Sequence, residues 1–351
     1  MLTLVLLSNN RPKFLKRSVL FWSKFTFKVI IVDGSDISQK DWVEKNSNSN
    51  ISYIHDKSPF PKRLKIGAEL IATKYAIFAP DDEYYLPTTL ERCVEFLEKN
   101  QEYVAINGVT IGFSYEQNKV IGFSQYPEWI GRQRIEEDPK ERIISHMSNY
   151  TNNLTVSVTR ANLWKKCALI YAKHDFPIYP LWELEMNLIL SFAGKSKTIN
   201  QLMHIRSSEE DSPPIRNNIP TLTPQNSINH FWIKKKFNQQ KILFISILTK
   251  ELHLISQNKK YEYCERALIS SIDALCKKKK IYFVFLHKFL SFFSPETKSK
   301  LKNFLDYFKK RNKKKIELIE AAKIFEKKGI NIDFINLSTV EKSIKSHYNA
   351  Q

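Results

Sequence analysis

The chain has 351 residues, more than one ordinary domain holds and suited to two, and its 42% hydrophobic and 13% aromatic content is enough for a sizeable core, which excludes a disordered chain. The formal net charge of +19 favours anionic partners. The four cysteines, Cys93, Cys167, Cys264 and Cys276, form no CxxC pair, so the spacing fits reduced thiols in a cytosolic protein rather than a disulfide framework or a zinc site.

In chain order, the first part alternates strands with helices. "LTLVLLS" reads as a buried first strand rather than a secretory leader, because its start lacks basic residues and its apolar run is short. "RPKFLKRSVLFWSK" has helical spacing through Phe14, Leu15, Val19 and Leu20, and "FKVIIVDGS" is a second buried strand ending in a glycine turn. "NISYIHD" is a shorter strand, "PKRLKIGAELIATK" a helix, and "YAIFAP" a third strong strand. That order predicts right-handed crossovers and a parallel sheet, with ligands beyond the carboxyl ends of its strands. Three polar clusters fall at those ends: Ser8, Asn9, Asn10 and Arg11; Asp33, Gly34 and Ser35; and Asp81, Asp82 and Glu83.

The acidic triplet repels itself unless solvent or a cation screens it. One reading is a solvated turn ahead of the helix that starts near Pro87. A Rossmann nucleotide site would place GxGxxG after the first strand, where this chain has "SNNRP". A divalent cation that bridges phosphates to carboxylates needs no glycine loop, so the triplet also reads as a metal site.

Further along, "YVAING" is a strand that ends at Asn107 and Gly108, either a plain exit into a turn or an edge of a sugar pocket. "DPKERIISHMSNYTNNLTVSVTRANLWKKC" gives a helix, a strand from Leu154 to Val158 and another helix. "PLWELEMNLILSFAGKSKTI" is a helix with Leu184, Leu188, Ile189 and Phe192 on one face and Gly194 as its stop. Glu183 and Glu185 fall near its start, where the helix dipole alone would accommodate them. "NQLMHIRSSEED" is a strand running into a loop.

"SSEEDSPPIRNNIPTLTPQNS", with four prolines, reads as a linker. Residues 1–230 hold 28 Lys and Arg against 25 Asp and Glu, whereas residues 231–351 hold 27 against 11. The expected organisation is a domain over 1–206, a linker over 207–230 and a basic, mainly helical domain over 231–351. "IYFVFLHKFLSFF" (281–293) is too short to span a bilayer. It reads either as a buried core element or as an interfacial element flanked by the lysines of 277–280 and 309–315, docking on anionic membrane.

"LLSNNRPKFLKRSV", "IIVDGS" and "RLKIGAELIATKYAIFAPDDEYYLPTTL" resemble, in order and spacing, three successive signatures of GT-A nucleotide-sugar glycosyltransferases. The likeness is closest to the inverting family-two enzymes and to a bacterial branch found in surface-polysaccharide clusters. It covers residues 2–210. It implies an α/β, Rossmann-like GT-A fold with a mostly parallel sheet flanked by helices. It implies a nucleotide-sugar donor, a divalent metal (manganese or magnesium), and a growing glycan or lipid-linked glycan as acceptor. A cytoplasmic location at the inner face of the cell membrane goes with that chemistry.

Carried over to this sequence, the resemblance places Ser8, Arg11, Arg63, Asp81 and Arg206 at the donor nucleotide and Asp33 at its base. Asp82 becomes the metal ligand, with Asp81 or Glu83 in support, and His204 is either a satisfied histidine at a strand end or a further metal or diphosphate contact. Pro80 stands where many relatives have an acid. In the family-two pattern the general base lies eleven residues before the terminal glycine of the acceptor helix. Counting from Gly194 gives Glu183, with Trp182 replacing the first acid of the pair.

Three function classes follow: a metal-dependent transferase building a bacterial surface glycan, a decayed GT-A domain acting as a scaffold, and a nucleic-acid binder using the basic tail. The third lacks an interleaved aromatic and basic motif, so no nucleic acid is expected. A CMP-activated acid sugar, which carries no diphosphate, is the alternative donor.

Overall fold

The computed structural model describes residues 1–174, 176–209, 227–256, 268–273, 276 and 316–349. β1 (Leu2–Ser8), β2 (Lys28–Asp33), β3 (Ile51–His55) and β4 (Tyr75–Pro80) are parallel in the order β3-β2-β1-β4, with α1 (Pro12–Trp22), α2 (Lys40–Asn46) and α3 (Phe60–Glu69) in the crossovers. Every residue of β1 is buried. Its alternate side chains feed two cores: Leu2, Leu4 and Leu6 point to one face of the sheet, Val5 and Leu7 to the other. The continuous apolar runs in the sequence are therefore strands covered on both sides.

The second half of the sheet is mixed. After β5 (Tyr84–Tyr85) and α4 (Pro87–Lys99), β6 (Tyr103–Glu116) turns into β7 (Lys119–Ser124). There follow β8 (Gln133–Arg134), α5 (Pro139–Ser148), β9 (Val158–Arg160), α6 (Ala161–Ala172), α7 (Pro180–Ala193) and β10 (Lys195–Ser207). β9 pairs antiparallel with both β4 and β6, while β10 runs parallel to β6 and pairs antiparallel with β5 and β8. Proline opens α1, α4 and α7, where its missing N–H costs nothing. This is the α/β architecture that the sequence predicted.

Two local expectations change. Residues Asn153–Val156 form a 3-10 turn, and strand pairing begins only at Val158. β6 does not end at Asn107 and Gly108 but continues to Glu116, because β10 lies against it along most of its length. A Cβ at Gly108 would stand 2.4 Å from the Gln201 carbonyl oxygen, so the glycine permits that approach.

The remaining elements are α8 (Ile228–Ile233), α9 (Asn238–Ser256), β11 (Ile316–Glu317), α10 (Leu318–Glu326) and α11 (Phe334–Asn349). They are the described elements of the region expected as a separate domain over 231–351, and they pack onto the two faces of the sheet. Phe231, Phe244 and Leu248 join the core of Val5, Trp164 and Leu188, whereas Leu318, Phe325, Leu337 and Val340 join the core of Leu4 and Leu6. β11 adds to β7, and Asn331 bridges to Gln201 in β10. The charge count sees the solvent faces of these helices, not the apolar stripes that dock them. The lysines of 277–280 and 309–315, the segment 281–293 and most of the expected linker lie outside the described residues. Among the described residues, no helix is long and apolar enough to cross a membrane.

Candidate active site

The carboxyl ends of β1 and β4 meet around the acidic triplet. Ser8 closes β1 and donates its Oγ to Asp81 Oδ2 at 2.8 Å. Arg11, directly ahead of α1, bridges two carboxylates: Nη1 donates to Asp81 Oδ1 and Nη2 to Asp82 Oδ2, both at 2.6 Å. Asp81 is 2% exposed, so the guanidinium offsets a charge that water barely reaches. From α1, Ser18 Oγ donates to the Asp81 carbonyl at 2.7 Å and Arg17 Nη2 to the Asp82 carbonyl at 2.8 Å. The turn after β4 is thus held by side chains and backbone contacts together.

Glu83 takes a different partner. The register of β5 against β10 sets Tyr85 opposite His204, and the two rings stack at 4.9 Å. Glu83, just before β5, then meets His204, with Nε2 and Oε2 2.6 Å apart, and Arg206 Nε lies 3.5 Å from its other oxygen. In this arrangement Glu83 and His204 face each other, while Asp82 faces Arg11. Among the described residues, no group of three or more His, Cys, Asp or Glu side chains is placed to hold a metal ion. Asp82 Oδ1 makes no hydrogen bond among the described residues. Asp82 with its neighbours offers too few facing carboxylates among the described residues for an all-protein cation cage.

Asp33 is fully buried. Its Oδ1 accepts from the Ser35 backbone N–H and hydroxyl, and its Oδ2 from Tyr53 Oη at 2.7 Å. It shapes the β2 turn, and both of its carboxylate oxygens are engaged there. Arg63 lies against Gly34, where a Cβ would stand 2.6 Å from its Cζ, and donates to the Ser8 and Ser58 carbonyl oxygens. Burial lowers its pKa, while Asp33, Asp56 and Asp81 pull it back up. Asn10, in the left-handed region at φ 54°, exchanges two hydrogen bonds with Asp36 and fastens the β1 loop to the β2 loop.

Glu183 stands in the first turn of α7, where the count from Gly194 put it. Gly194 itself is extended, and it is required because a Cβ would stand 2.5 Å from Val104 Cγ1. Asn152 Nδ2 donates to Glu183 Oε2 at 3.1 Å. Burial pushes the Glu183 carboxyl up to about 7, against the Asn152 bond and the charge of Arg206, with Glu83 adding to the rise. The carboxyl faces a cavity of about 270 Å³ walled by Tyr126, Trp129, Tyr150 and Asn152. Tyr126 and Trp129 stack at 4.1 Å, and the Arg206 guanidinium sits 5.3 Å from the Tyr126 ring centre. Arg206 thus touches both the acid turn and the wall of the Glu183 cavity.

Glu185 faces the opposite way. It is 1% exposed, neither oxygen has a hydrogen-bond partner among the described residues, and burial pushes its carboxyl well above the usual range, with Glu251 adding repulsion. Asn107 is also interior to the sheet, where it accepts from Thr198 Oγ1 at 2.8 Å, and it does not line the cavity. Sequence reasoning missed Asn152, Tyr126, Trp129 and Arg17. The first three come from loops, and the run "QYPEW" carries no periodicity that would single them out.

No family model matches the chain, and no curated protein matches it. Among solved structures, S. aureus TarS 1-349 is similar at 12% identity and a TM-score of 0.46, covering 80% of this chain and 91% of that one. Its complex with UDP-GlcNAc gives 14% identity, a TM-score of 0.46 and coverage of 80% and 91%. Its complex with UDP gives 14%, 0.43, and 80% and 90%. At these identities the likenesses are distant.

Proposed function

We propose that the protein is a nucleotide-sugar glycosyltransferase that inverts the anomeric carbon, with Glu183 as general base and a bacterial surface glycan, free or lipid-linked, as acceptor. The observation that carries this reading is the pairing of a carboxyl held at about 7, in an aromatic-walled cavity, with a strand-end turn whose carboxylates are held by arginines. A base near working pH takes a proton efficiently, and aromatic walls suit a sugar ring.

In this mechanism the acceptor hydroxyl gives its proton to Glu183 as its oxygen attacks the anomeric carbon. The carbon–oxygen bond to the nucleotide breaks on the opposite face. Arg11, Arg63 and Arg206 offset the charge that grows on the leaving phosphates. Asp82 would hold a manganese or magnesium ion, which supplies further positive charge to that leaving group. Trp182 packs in the core against Trp164 and Tyr171, so its replacement of an acid leaves the cleft untouched and argues against a decayed site.

The Arg11 bridge over Asp81 and Asp82 keeps a CMP-activated acid sugar as the second reading of the donor, because a donor without a diphosphate depends less on a metal. Calorimetric titration of UDP-, GDP-, dTDP- and CMP-sugars, each with manganese and with chelator, tests the proposal. Binding of one class supports it and names the donor. Absence of binding across the panel overturns it.

A further inference from the structure

Arg17 is buried beneath the acid turn and belongs to none of the expected site residues. Its Nη1 and Nη2 donate to the two Glu209 oxygens at 2.8 Å each, and Nη2 also donates to the Asp82 carbonyl. Both side chains of the pair are 2% exposed. The guanidinium lies 4.7 Å from the Phe14 ring centre and 5.3 Å from that of Tyr84. Glu209 is held in turn: Ser207 Oγ donates to one oxygen at 2.8 Å and Tyr348 Oη to the other at 2.5 Å.

Tyr348 belongs to α11, at the far end of the chain. Its ring stacks on Tyr115 of β6 at 4.0 Å and 2°. Ser343, also on α11, lies 3.1 Å from the Tyr84 hydroxyl, and His347 stacks on Phe14 at 5.5 Å. A buried ion pair adds little stability over an apolar replacement, yet losing one partner is costly. Such a pair is informative for what it fixes. Here it fixes a carbonyl in the turn that carries Asp81 and Asp82.

We propose that α11 is a working part of the donor site: the chain Tyr348–Glu209–Arg17 holds the Asp82 backbone, which makes Arg17 and Tyr348 positioning residues for nucleotide binding. This rests on the transferase reading. Among the described contacts, Tyr348 reaches the acid turn through Glu209 and Arg17. Lysine cannot replace Arg17, because an ammonium lacks the planar fork that grips both Glu209 oxygens while reaching the Asp82 carbonyl.

The test titrates UDP, GDP, dTDP and CMP into full-length wild type, Tyr348→Phe, Arg17→Lys and Tyr115→Phe, with and without manganese, and follows folding by thermal melting. The tightest nucleotide for wild type serves as the probe. Tyr348→Phe is expected to weaken it about fivefold and Arg17→Lys about tenfold or more, scales set by one and by several charge-assisted hydrogen bonds. Tyr115→Phe, which keeps the stack and the Glu209 contact, binds as wild type. Equal affinity in Tyr348→Phe and wild type, with Tyr348→Phe folded, overturns the inference and leaves the transferase reading standing. If Arg17→Lys does not fold, Tyr348→Phe decides alone. A wild type that binds none of the four overturns the transferase reading first, and this inference with it.

Discussion

Asn152 and Glu183 meet at 3.1 Å, the amide of one donating to the carboxyl of the other across the mouth of the cavity. Asn152 leads the 3-10 turn and Glu183 the first turn of α7. Asn187, one turn further along α7, donates to Thr155 Oγ1 and accepts from the Leu154 N–H, so with the Asn152 bond three described hydrogen bonds join the two elements. The bond stabilises the carboxylate form. Removing it with Asn152→Ala should raise the Glu183 pKa further and move the acid limb of the rate profile to higher pH. An unmoved limb would show that the bond does not reach the titrating group.

The wild-type profile follows from the same group. The Glu183 carboxyl is raised from its ordinary value to about 7, so the base form accumulates as pH rises through that value. kcat/KM should climb tenfold per pH unit below about 7 and level off above it. Stability runs the other way. The native state holds this proton more tightly than the unfolded chain, so the contribution is fully present below the ordinary glutamate pKa and is lost as pH rises to about 7. Its size is at most about 3 kcal/mol. Thermal melts of wild type and Glu183→Gln between pH 5 and 8 should show a steeper decline in wild type, since Glu185 contributes equally to both.

Glu185 supplies the contrast. Its carboxyl is buried in the core with no hydrogen-bond partner among the described residues, away from the cavity that Glu183 lines. Glu185→Met fills a similar volume and removes two unsatisfied oxygens, which should stabilise the fold by about 1–3 kcal/mol. Transfer should stay within about twofold of wild type, since a substitution away from reacting atoms removes no proton acceptor. A crippled Glu185→Met with an intact fold would shift the base from Glu183 to Glu185.

The metal is tested at Asp82. Asp82→Ala should abolish manganese-dependent thermal stabilisation by the bound nucleotide and leave the apo melting temperature nearly unchanged, because the side chain lies at a strand end and is partly exposed. If the manganese effect survives, Asp82 is not the ligand.

The sequence made the sheet legible where burial on both faces forced continuous apolar runs, as in β1, β2 and β4. The stop at Gly194 also set the α7 register that places Glu183 in the first turn of that helix. It could not show that Arg11 would bridge Asp81 and Asp82, since that contact joins two strand ends far apart in the chain. Nor could it pair Glu83 with His204, which depends on the β5 register against β10. The return of α11 to the sheet was hidden by lysines on its outer face, while Leu337, Val340 and Ile344 carried the docking stripe unnoticed.

The most direct test of the account is Glu183→Gln, measured for donor binding and for transfer on the same preparation. The amide keeps the shape and removes the proton acceptor. The account predicts a donor dissociation constant near wild type and transfer reduced by at least about a hundredfold, the lower range of general-base effects. Undiminished transfer in Glu183→Gln would contradict it.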